Sequence, residues 1–287
     1  MPTVIFHQNM RTFGGGNEFR VDVANYVLGF AAASRNFEIK IAGLTEITNN
    51  GVVNGVMPDL HSVLLRSQNP QIFNICCGIS AVGGRSEYTS IGVHETMTIM
   101  AIGRVYKSML SRRIEIDSID MDADVEEIEK WCDKLPEHAS ADHRYIVYTI
   151  VRADNGENVA FAFMHNIYTN GAIRVYEHLM IPGYLHKIKE EEDCVAVFIG
   201  GDFNARPPLN FRNRAARKPY RTYQKGMDVD PAQWAPRVFS PGGTTRAGSL
   251  YDYWYSDSDN NDYCAHVHPE AIEYGLSDHC GISLKIE

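Results

Sequence analysis

The chain contains 287 residues, 44% of them hydrophobic and 22% charged, which is typical of a globular protein with a sizeable core. Its formal net charge of −9 excludes a protein that coats nucleic acid through overall basicity, so an anionic substrate must meet a local basic patch or metal ions. The longest apolar runs, Val27–Ala33 and Cys194–Ile199, are too short to span a bilayer, so no transmembrane segment is expected.

Short apolar runs bounded by turn residues predict a series of strands. In chain order they cover residues 3–9, 38–47, 71–79, 88–95, 96–103, 144–154, 158–167, 195–204, 249–256 and 281–287. A helical apolar rhythm predicts helices over 19–37, 57–65 and 173–189. Asp154–Gly156 predicts a hairpin, and hairpins indicate a mixed or antiparallel sheet rather than a doubly wound parallel one. Since no linker or repeat interrupts the pattern, we expect one α/β domain over residues 1–287.

The N-terminus, MPTVIFHQNMRTF, has neither the basic n-region nor the apolar h-region of a Sec signal. We therefore expect a cytoplasmic protein or one that is exported by a non-Sec route. The six cysteines form no C-x-x-C pair, which disfavours a zinc site and favours buried thiols in a reducing compartment over disulfides.

Polar side chains stand at the ends of several predicted strands, or just inside them. Each alone is typical of a cap or a turn, but together they would converge on one edge of a sheet. They are Asn9, Glu46, His165, Asp202, Asn204, Asp252, Asp278 and His279.

The types of these side chains indicate a chemistry. The carboxylates of Glu46, Asp202 and Asp278, with the carboxamides of Asn9 and Asn204, suit a hard divalent cation such as Mg²⁺. The two histidines supply proton transfer near neutral pH, and a buried carboxylate beside each would fix its tautomer. This combination predicts phosphoester hydrolysis by an activated water, with charge on the transition state neutralised by metal and cationic side chains.

Four segments of the sequence carry a resemblance to a known family: QNMRTFGG, LTEI, GDFNARP and LSDHCGI. In this order they resemble the motifs of the endonuclease/exonuclease/phosphatase superfamily, and the first is especially similar to the opening of deoxyribonuclease I. The resemblance covers Asn9 to Ile286. It implies a four-layer α/β sandwich with two central mixed, largely antiparallel sheets, the deoxyribonuclease I-like fold, with the site at one rim.

The resemblance implies roles for the acidic and amide side chains. By this resemblance Glu46 binds the metal, with Asn9 and Asp278 close by. Asp202 and Asn204 orient the water or the phosphate. The expected ion is Mg²⁺, with Mn²⁺ or Ca²⁺ as alternatives.

The resemblance also implies roles for the histidines. His279 takes a proton or holds the phosphate, with Asp252 as its carboxylate partner. His165 is the second histidine, and Glu95 is its expected partner, although Glu95 is equally compatible with a salt-bridged surface residue. Arg144 resembles an arginine that contacts phosphate in the deoxyribonuclease branch, with a hairpin-edge charge as the alternative.

The branch of the family is indicated by two positions. Abasic-site endonucleases usually carry Tyr where this chain has His165, and inositol 5-phosphatases usually show W-C-D-R where this chain has L-Y-D-Y-W around Asp252. The resemblance is therefore greatest to deoxyribonuclease I and to the catalytic subunit of cytolethal distending toxin.

A basic patch follows the GDFN motif, since Phe203 to Met227 contains no Asp or Glu. Arginines there would pair with backbone phosphates, and interleaved aromatic residues would stack on bases. The alternatives are a solvated basic loop and a loop that faces the acidic segment Glu115–Glu129. The basic residues are Arg206, Arg212, Arg214, Arg217, Lys218, Arg221 and Lys225.

These observations predict a Mg²⁺-dependent, deoxyribonuclease I-like endonuclease that cuts DNA with little sequence preference. The alternatives are a phosphoinositide phosphatase of the same superfamily and a catalytically inactive binding protein on this fold. The toxin-like resemblance and the absence of a Sec signal suggest a delivered bacterial toxin or effector that is held in check by an inhibitor or immunity protein. We expect a monomer.

Overall fold

The computed structural model describes residues 3–13, 37–48, 56–79, 86–105, 146–166, 185, 188–204, 243–256 and 263–286. The strands of these regions are β1 (Thr3–Phe13), β2 (Ile39–Thr48), β3 (Gln71–Ile79), β4 (Ser86–Val93), β5 (Thr98–Val105), β6 (Ile146–Arg152), β7 (Asn158–His165), β8 (Cys194–Asp202), β9 (Asp252–Ser256), β10 (Cys264–His268) and β11 (Gly281–Ile286). The helices that have defined bounds are α1 (Val56–Leu65) and α2 (Glu270–Glu273).

The strands form two mixed, largely antiparallel sheets. The six-stranded sheet has the order β10-β11-β1-β2-β4-β3, and the five-stranded sheet has the order β5-β6-β7-β8-β9. Each sheet contains one parallel pair among the described strands, β1 with β2 and β7 with β8. A parallel pair needs a crossover of a dozen or more residues, and long connections separate both pairs in the sequence.

The sheets pack face to face through an apolar core. Phe161, Phe163, Phe198 and Trp254 of the five-stranded sheet lie against aliphatic residues of the six-stranded sheet. The sheets approach so closely that a Cβ on Gly43 would overlap the Phe163 ring, which explains the glycine in the middle of a buried strand.

Helical residues cover the outer faces of both sheets. Met57, Leu60 and Leu64 of α1 pack on the six-stranded sheet, and Leu185 and Ile188, which are also helical, pack on the five-stranded sheet. The order is thus helix, sheet, sheet, helix, and it confirms the predicted α/β sandwich. No helix in the described ranges is long and apolar enough to cross a membrane.

Most predicted strands are found within one to three residues of their predicted ends, and the helix predicted over 57–65 is α1. The Asp154–Gly156 turn joins β6 to β7 as predicted, with Gly156 at φ 86°. The first strand is longer than predicted, because β1 continues through an irregular segment to Phe13. The strand β10 and the short α2 were not predicted, since the residues CAHVH carry too little apolar signal. The predicted helix over 19–37, apart from Phe37, and the acidic segment Glu115–Glu129 lie outside the described residues.

Candidate active site

The two parallel pairs bring polar residues to one rim of the sandwich. Asn9 and Glu46 lie near the carboxyl ends of β1 and β2, and His165 and Asp202 are the last residues of β7 and β8. Parallel strands end at the same edge of a sheet, so each pair presents two side chains there. Asp202 lies directly between His165 and Asp252, its register partners on β7 and β9.

The backbone of the six-stranded sheet is irregular at this rim. The pairing of β1 with β2 shifts register between Asn9 and Phe13, and the pairing of β2 with β4 shifts between Leu44 and Ile47. Irregularities of this kind redirect side chains and are common beside active sites.

Left-handed backbone conformation at non-glycine residues concentrates at the same rim. Four of the six such residues in the described part of the chain line or flank the site, with φ between 48° and 57°. Each costs about 1–3 kcal/mol and persists only where surrounding contacts enforce it, as at functional sites. The four residues are Arg11, Thr12, Glu46 and Asn204.

Asn9 bridges two carboxylates. Its Nδ2 donates to Glu46 Oε1 at 3.1 Å and to Asp202 Oδ2 at 2.9 Å. Its Oδ1 accepts the Arg11 N–H at 2.9 Å, which fixes the orientation of the amide. Asn9 therefore presents its amino group to the carboxylates, and this contact differs from that of a metal ligand, which would present the oxygen.

His165 contacts carboxylates through both ring nitrogens. Nδ1 lies 2.7 Å from Glu87 Oε1, and Nε2 lies 3.1 Å from Glu46 Oε1 and 3.7 Å from Asp202 Oδ2. The ring is only 5% exposed. Because Glu87 is on β4 and His165 on β7, this pair joins the two sheets at the rim.

Glu95, the predicted partner of His165, lies elsewhere. Its exposed carboxylate accepts the Asn69 N–H at 3.1 Å. Glu87 and Glu95 flank opposite ends of β4, which is about 26 Å long at about 3.3 Å per residue. The predicted pairing of His165 with Glu95 is therefore wrong. Both glutamates flank the same apolar run, and only the direction of β4 in the sheet decides which one reaches the rim.

His279 and Asp252 form the second imidazole–carboxylate pair, as predicted. Nδ1 of His279 lies 2.8 Å from Asp252 Oδ2, and its Nε2 lies 3.6 Å from Asp202 Oδ2. Complete burial raises the pKa of Asp252 to about 6. Burial also acts to lower the pKa of His279, but the charge of Asp252 and the hydrogen bond to it outweigh this effect and raise the pKa to about 10. The imidazolium is therefore the form of His279 at neutral pH.

Asn204 is held rigidly beside Asp202. Its backbone N–H donates to Asp202 Oδ1 at 2.8 Å, and its Nδ2 donates to the Asn166 carbonyl oxygen at 2.8 Å. The Asn166 N–H in turn donates to the Asp202 carbonyl oxygen at 2.8 Å. These bonds fix the amide of Asn204 in the wall of the site.

Two buried polar residues tie Asn9 to the loop that carries His279. Gln8 Nε2 donates to the carbonyl oxygens of Asn9 at 2.6 Å and of His279 at 3.0 Å. The Ser277 hydroxyl donates to the Asn9 carbonyl oxygen at 2.8 Å and accepts the His279 N–H at 3.1 Å. The two halves of the site are thus held in register by hydrogen bonds that do not face the cavity.

These side chains line an open cavity of about 680 Å³, within the range of about 300–1,000 Å³ that is typical of ligand sites. Asp278 stands at its mouth with an Arg11 guanidinium nitrogen 3.8 Å away, and both side chains are about half exposed, at 49% and 48%. The lining residues are Arg11, Glu46, His165, Asp202, Asn204, Thr245, Arg246, Ala247, Ser249, Tyr251, Asp278 and His279.

Two groups of donor atoms in the described ranges are close enough to hold a metal ion. They are Glu46 with His165 and Asp202, and Asp202 with Asp252 and His279, and within each group the atoms lie within 4.8 Å of one another. Carboxylate oxygens suit a hard divalent cation, and a cation would relieve the repulsion between the Glu46 and Asp202 carboxylates. The residues of this site therefore fit such an ion.

The remaining predicted residues cannot be placed on this site. Arg144 and the patch residues Arg206, Arg212 and Arg214 lie outside the described residues. Conversely, sequence reasoning missed Glu87, Gln8 and Ser277. Gln8 and Ser277 stand within the recognised segments QNMRTFGG and LSDHCGI, and Glu87 directly precedes a predicted strand, but an isolated polar residue in or next to a strand carries no signal of its own.

The architecture is similar to that of solved proteins of one superfamily. No protein-family model and no curated protein sequence matches the chain. The human nocturnin catalytic domain with bound sulfate is 12% identical with a TM-score of 0.61, covering 100% of this chain and 94% of that one. An endonuclease/exonuclease/phosphatase family protein from Bacteroides thetaiotaomicron is 13% identical with a TM-score of 0.61, covering 100% and 98%. TDP2 from D. rerio, complexed with a single-strand DNA product, is 12% identical with a TM-score of 0.57, covering 100% and 99%.

These likenesses extend over the whole chain and are likenesses of fold. The protein has the endonuclease/exonuclease/phosphatase fold, which is deoxyribonuclease I-like, as its motifs predict.

Proposed function

We propose that this protein is a metal-dependent phosphodiesterase that hydrolyses DNA. The observation that carries the proposal is the convergence of two imidazole–carboxylate pairs, His165 with Glu87 and His279 with Asp252, on the single buried carboxylate of Asp202. A structural role alone does not require two histidines on either side of one buried acid. Perturbed groups that converge in an open cavity are typical of catalytic sites.

The carboxylate of Glu46 would hold the divalent cation, for which Mg²⁺ is the proposed identity, and Asp202 would remain available to the attacking water. When bound, such an ion neutralises charge on the phosphoryl oxygens and lowers the pKa of a bound water. Asn9 keeps the two carboxylates at a fixed separation, and the Gln8 and Ser277 bonds keep Asn9 in register with His279.

The proton chemistry follows from the states of the side chains. His279 is an imidazolium at neutral pH, so it donates a hydrogen bond to a phosphate oxygen and does not serve as the base. Asp202 is then the group that accepts the proton of the attacking water. The water oxygen bonds to phosphorus while the bond to the leaving oxygen breaks, and His165, oriented by Glu87, supplies the proton that the leaving oxygen takes.

DNA is the proposed substrate for two reasons. The D. rerio TDP2 structure of the same fold holds a single-strand DNA product. The sequence from Phe203 to Met227, which directly follows Asp202 and includes Asn204, is free of acidic residues and rich in arginine. Such a patch would bind backbone phosphates without reading sequence.

Nicking of supercoiled plasmid in Mg²⁺, with and without EDTA, tests the proposal. The wild type should nick in Mg²⁺ only, and His165→Ala or His279→Ala should each lower the rate by about 10²–10⁴-fold. His266→Ala is the matched control, since His266 is exposed on β10 and outside the cavity. Near-normal nicking by both site variants would overturn the assignment. Phosphate release from a soluble phosphoinositide without nicking would instead place the protein among lipid phosphatases.

A further inference from the structure

A short hairpin, residues 243–249, contributes several of the residues that line the cavity. The Ser249 carbonyl oxygen accepts the N–H groups of Thr244 and Thr245 at 2.8 and 3.0 Å, and Thr245 Oγ1 accepts the Ser249 N–H at 2.9 Å. Gly243 and Gly248 have φ of 79° and 78°, and a Cβ on Gly243 would overlap the Gly248 carbonyl. The hairpin is therefore tightly closed, and its tip is held by hydrogen bonds at its base.

The hairpin is joined to the segment that carries His279. The Arg246 N–H donates to the Asp278 carbonyl oxygen at 2.7 Å, and Thr245 forms a β-bridge with His279. The tip, with Arg246, is thus fixed relative to the imidazole that faces the scissile phosphate in the proposed mechanism.

Arg246 is an exposed cation beside a cluster of acids. Its side chain lines the cavity that also contains Glu46, Asp202 and Asp278. Within the part of the chain that the structure describes, no carboxylate forms an ion pair with the Arg246 guanidinium, whereas Arg11 lies 3.8 Å from Asp278. An exposed guanidinium whose backbone is held in place beside the cavity is suited to pair with an anion of the ligand.

We propose that Arg246 binds a second phosphate, next to the phosphodiester that is cleaved, and so makes the site selective for substrates with an anionic group flanking the scissile bond. This inference rests on the proposed phosphodiesterase function. The groups around Asp202 serve the scissile phosphate, while Arg246 lines the same cavity from the hairpin and is not part of either imidazole–carboxylate pair. It is therefore a specificity residue, distinct from the residues that carry the reaction.

Four probes distinguish binding of the second phosphate from binding of the first. The thymidine trinucleotide TpTpT carries two phosphodiesters. Two analogues each replace one of them with an uncharged methylphosphonate, and bis(p-nitrophenyl) phosphate has no flanking phosphate. Arg246→Ala and Arg246→Lys are compared with Arg152→Ala, which removes an exposed arginine at the opposite end of the five-stranded sheet.

Arg246→Ala should lower kcat/KM on TpTpT by about 10-fold, mainly through KM, because one charge-assisted contact is lost. It should change the rate of bis(p-nitrophenyl) phosphate hydrolysis by less than about 2-fold. The analogue whose flanking phosphodiester is replaced by a methylphosphonate should be cleaved equally well by the variant and the wild type. Arg246→Lys should recover part of the loss. The dependence of log kcat/KM on log salt concentration for the trinucleotide should become shallower in Arg246→Ala, with a slope about 0.7 less negative than that of the wild type.

Other outcomes overturn the inference in distinguishable ways. If wild type and Arg246→Ala cleave TpTpT equally well, or if the variant loses activity equally on all probes, Arg246 does not bind a flanking phosphate, and the phosphodiesterase proposal survives. If the folded wild type nicks plasmid in Mg²⁺ but hydrolyses none of the probes, one flanking phosphate is not sufficient for recognition and this inference fails alone. If it neither nicks plasmid nor hydrolyses any probe, the proposed function fails and this inference fails with it.

Discussion

The histidines of the rim and those of the core show how a partner decides what an imidazole does. At the rim, His279 pairs with the Asp252 carboxylate, and its pKa rises to about 10. In the core, burial lowers the pKa of His61 to about 3 and of His268 to about 4, and Nε2 of each ring lies 2.8 Å from a serine hydroxyl, that of Ser90 or Ser283.

Burial alone therefore does not produce a reactive histidine. His7 makes the same point from a position next to the site. Its pKa is lowered well below the usual value, first by burial and then by the charges of His165 and His279, and its Nε2 meets only the Thr45 hydroxyl at 3.1 Å. A carboxylate partner provides a charged group for chemistry, whereas a hydroxyl partner leaves a neutral group that fills space.

Removal of the Asp252 carboxylate should have the largest effect on activity. In Asp252→Asn, burial still lowers the pKa of His279, and the largest attraction that raises it is lost, so that only the charges of Asp202 and Asp278 continue to raise it. Plasmid nicking should fall by about 10²–10⁴-fold, and the pKa of His279 from NMR titration should fall below its value in the wild type. An unchanged titration of His279 would show that its charge does not depend on Asp252.

Removal of the Glu87 carboxylate should have a smaller effect on activity, because His165, which Glu87 orients, also contacts Glu46 and Asp202. Glu87→Gln should lower activity by about 10–100-fold, with the protein still folded. Glu95→Gln is the matched control from the other end of β4 and should leave activity unchanged. Equal losses in the two variants would contradict the assignment of Glu87 as the partner of His165.

The core histidines His61 and His268 should make the protein less stable as the pH falls. The pKa values of His61 and His268 are lower in the folded than in the unfolded state, so the unfolded chain binds protons first as pH falls below about 6.5. Their stabilising contribution is complete above that pH and is lost towards pH 3–4. Each should contribute about 1.4 kcal/mol per pH unit to the fall in the free energy of unfolding.

Urea unfolding at several pH values between 7 and 5 measures this slope. Variants His61→Gln and His268→Gln should each show a smaller pH dependence than the wild type, whatever their stability at pH 7. A slope that is the same in wild type and variants would mean that these histidines are not buried in neutral form.

The smallest effect is expected when the serine hydroxyl that contacts a core histidine is removed. Ser283→Ala removes the group that His268 Nε2 contacts at 2.8 Å and should lower the free energy of unfolding by about 1 kcal/mol. Nicking activity should be unchanged at temperatures well below Tm, because neither residue lines the cavity. A large loss of activity without a loss of stability would contradict this assignment, because it would show that Ser283 affects catalysis although it does not line the cavity.

The apolar runs and motifs of the sequence were sufficient to predict the α/β sandwich and the convergence of several polar residues at one rim. The pairs Asn9 with Glu46 and His165 with Asp202 were predictable because each follows a strong apolar strand. The partner of His165 was not, because Glu87 comes from the other sheet and is separated from His165 by 78 positions in the sequence. The strand β10 was missed because its alternating polar residues resemble a loop.

By itself, the sequence determined which residues form strands, through local periodicity, and which chemical groups stand at their ends. The tertiary structure decided which of those groups meet, since register, strand direction and the packing of one sheet on the other are set by long-range contacts. Those contacts chose Glu87 over Glu95, turned the amino group of Asn9 towards two carboxylates, and left Arg246 facing the cavity. They also decided which histidines are charged, because a pKa depends on burial and on partners that lie far away in the sequence.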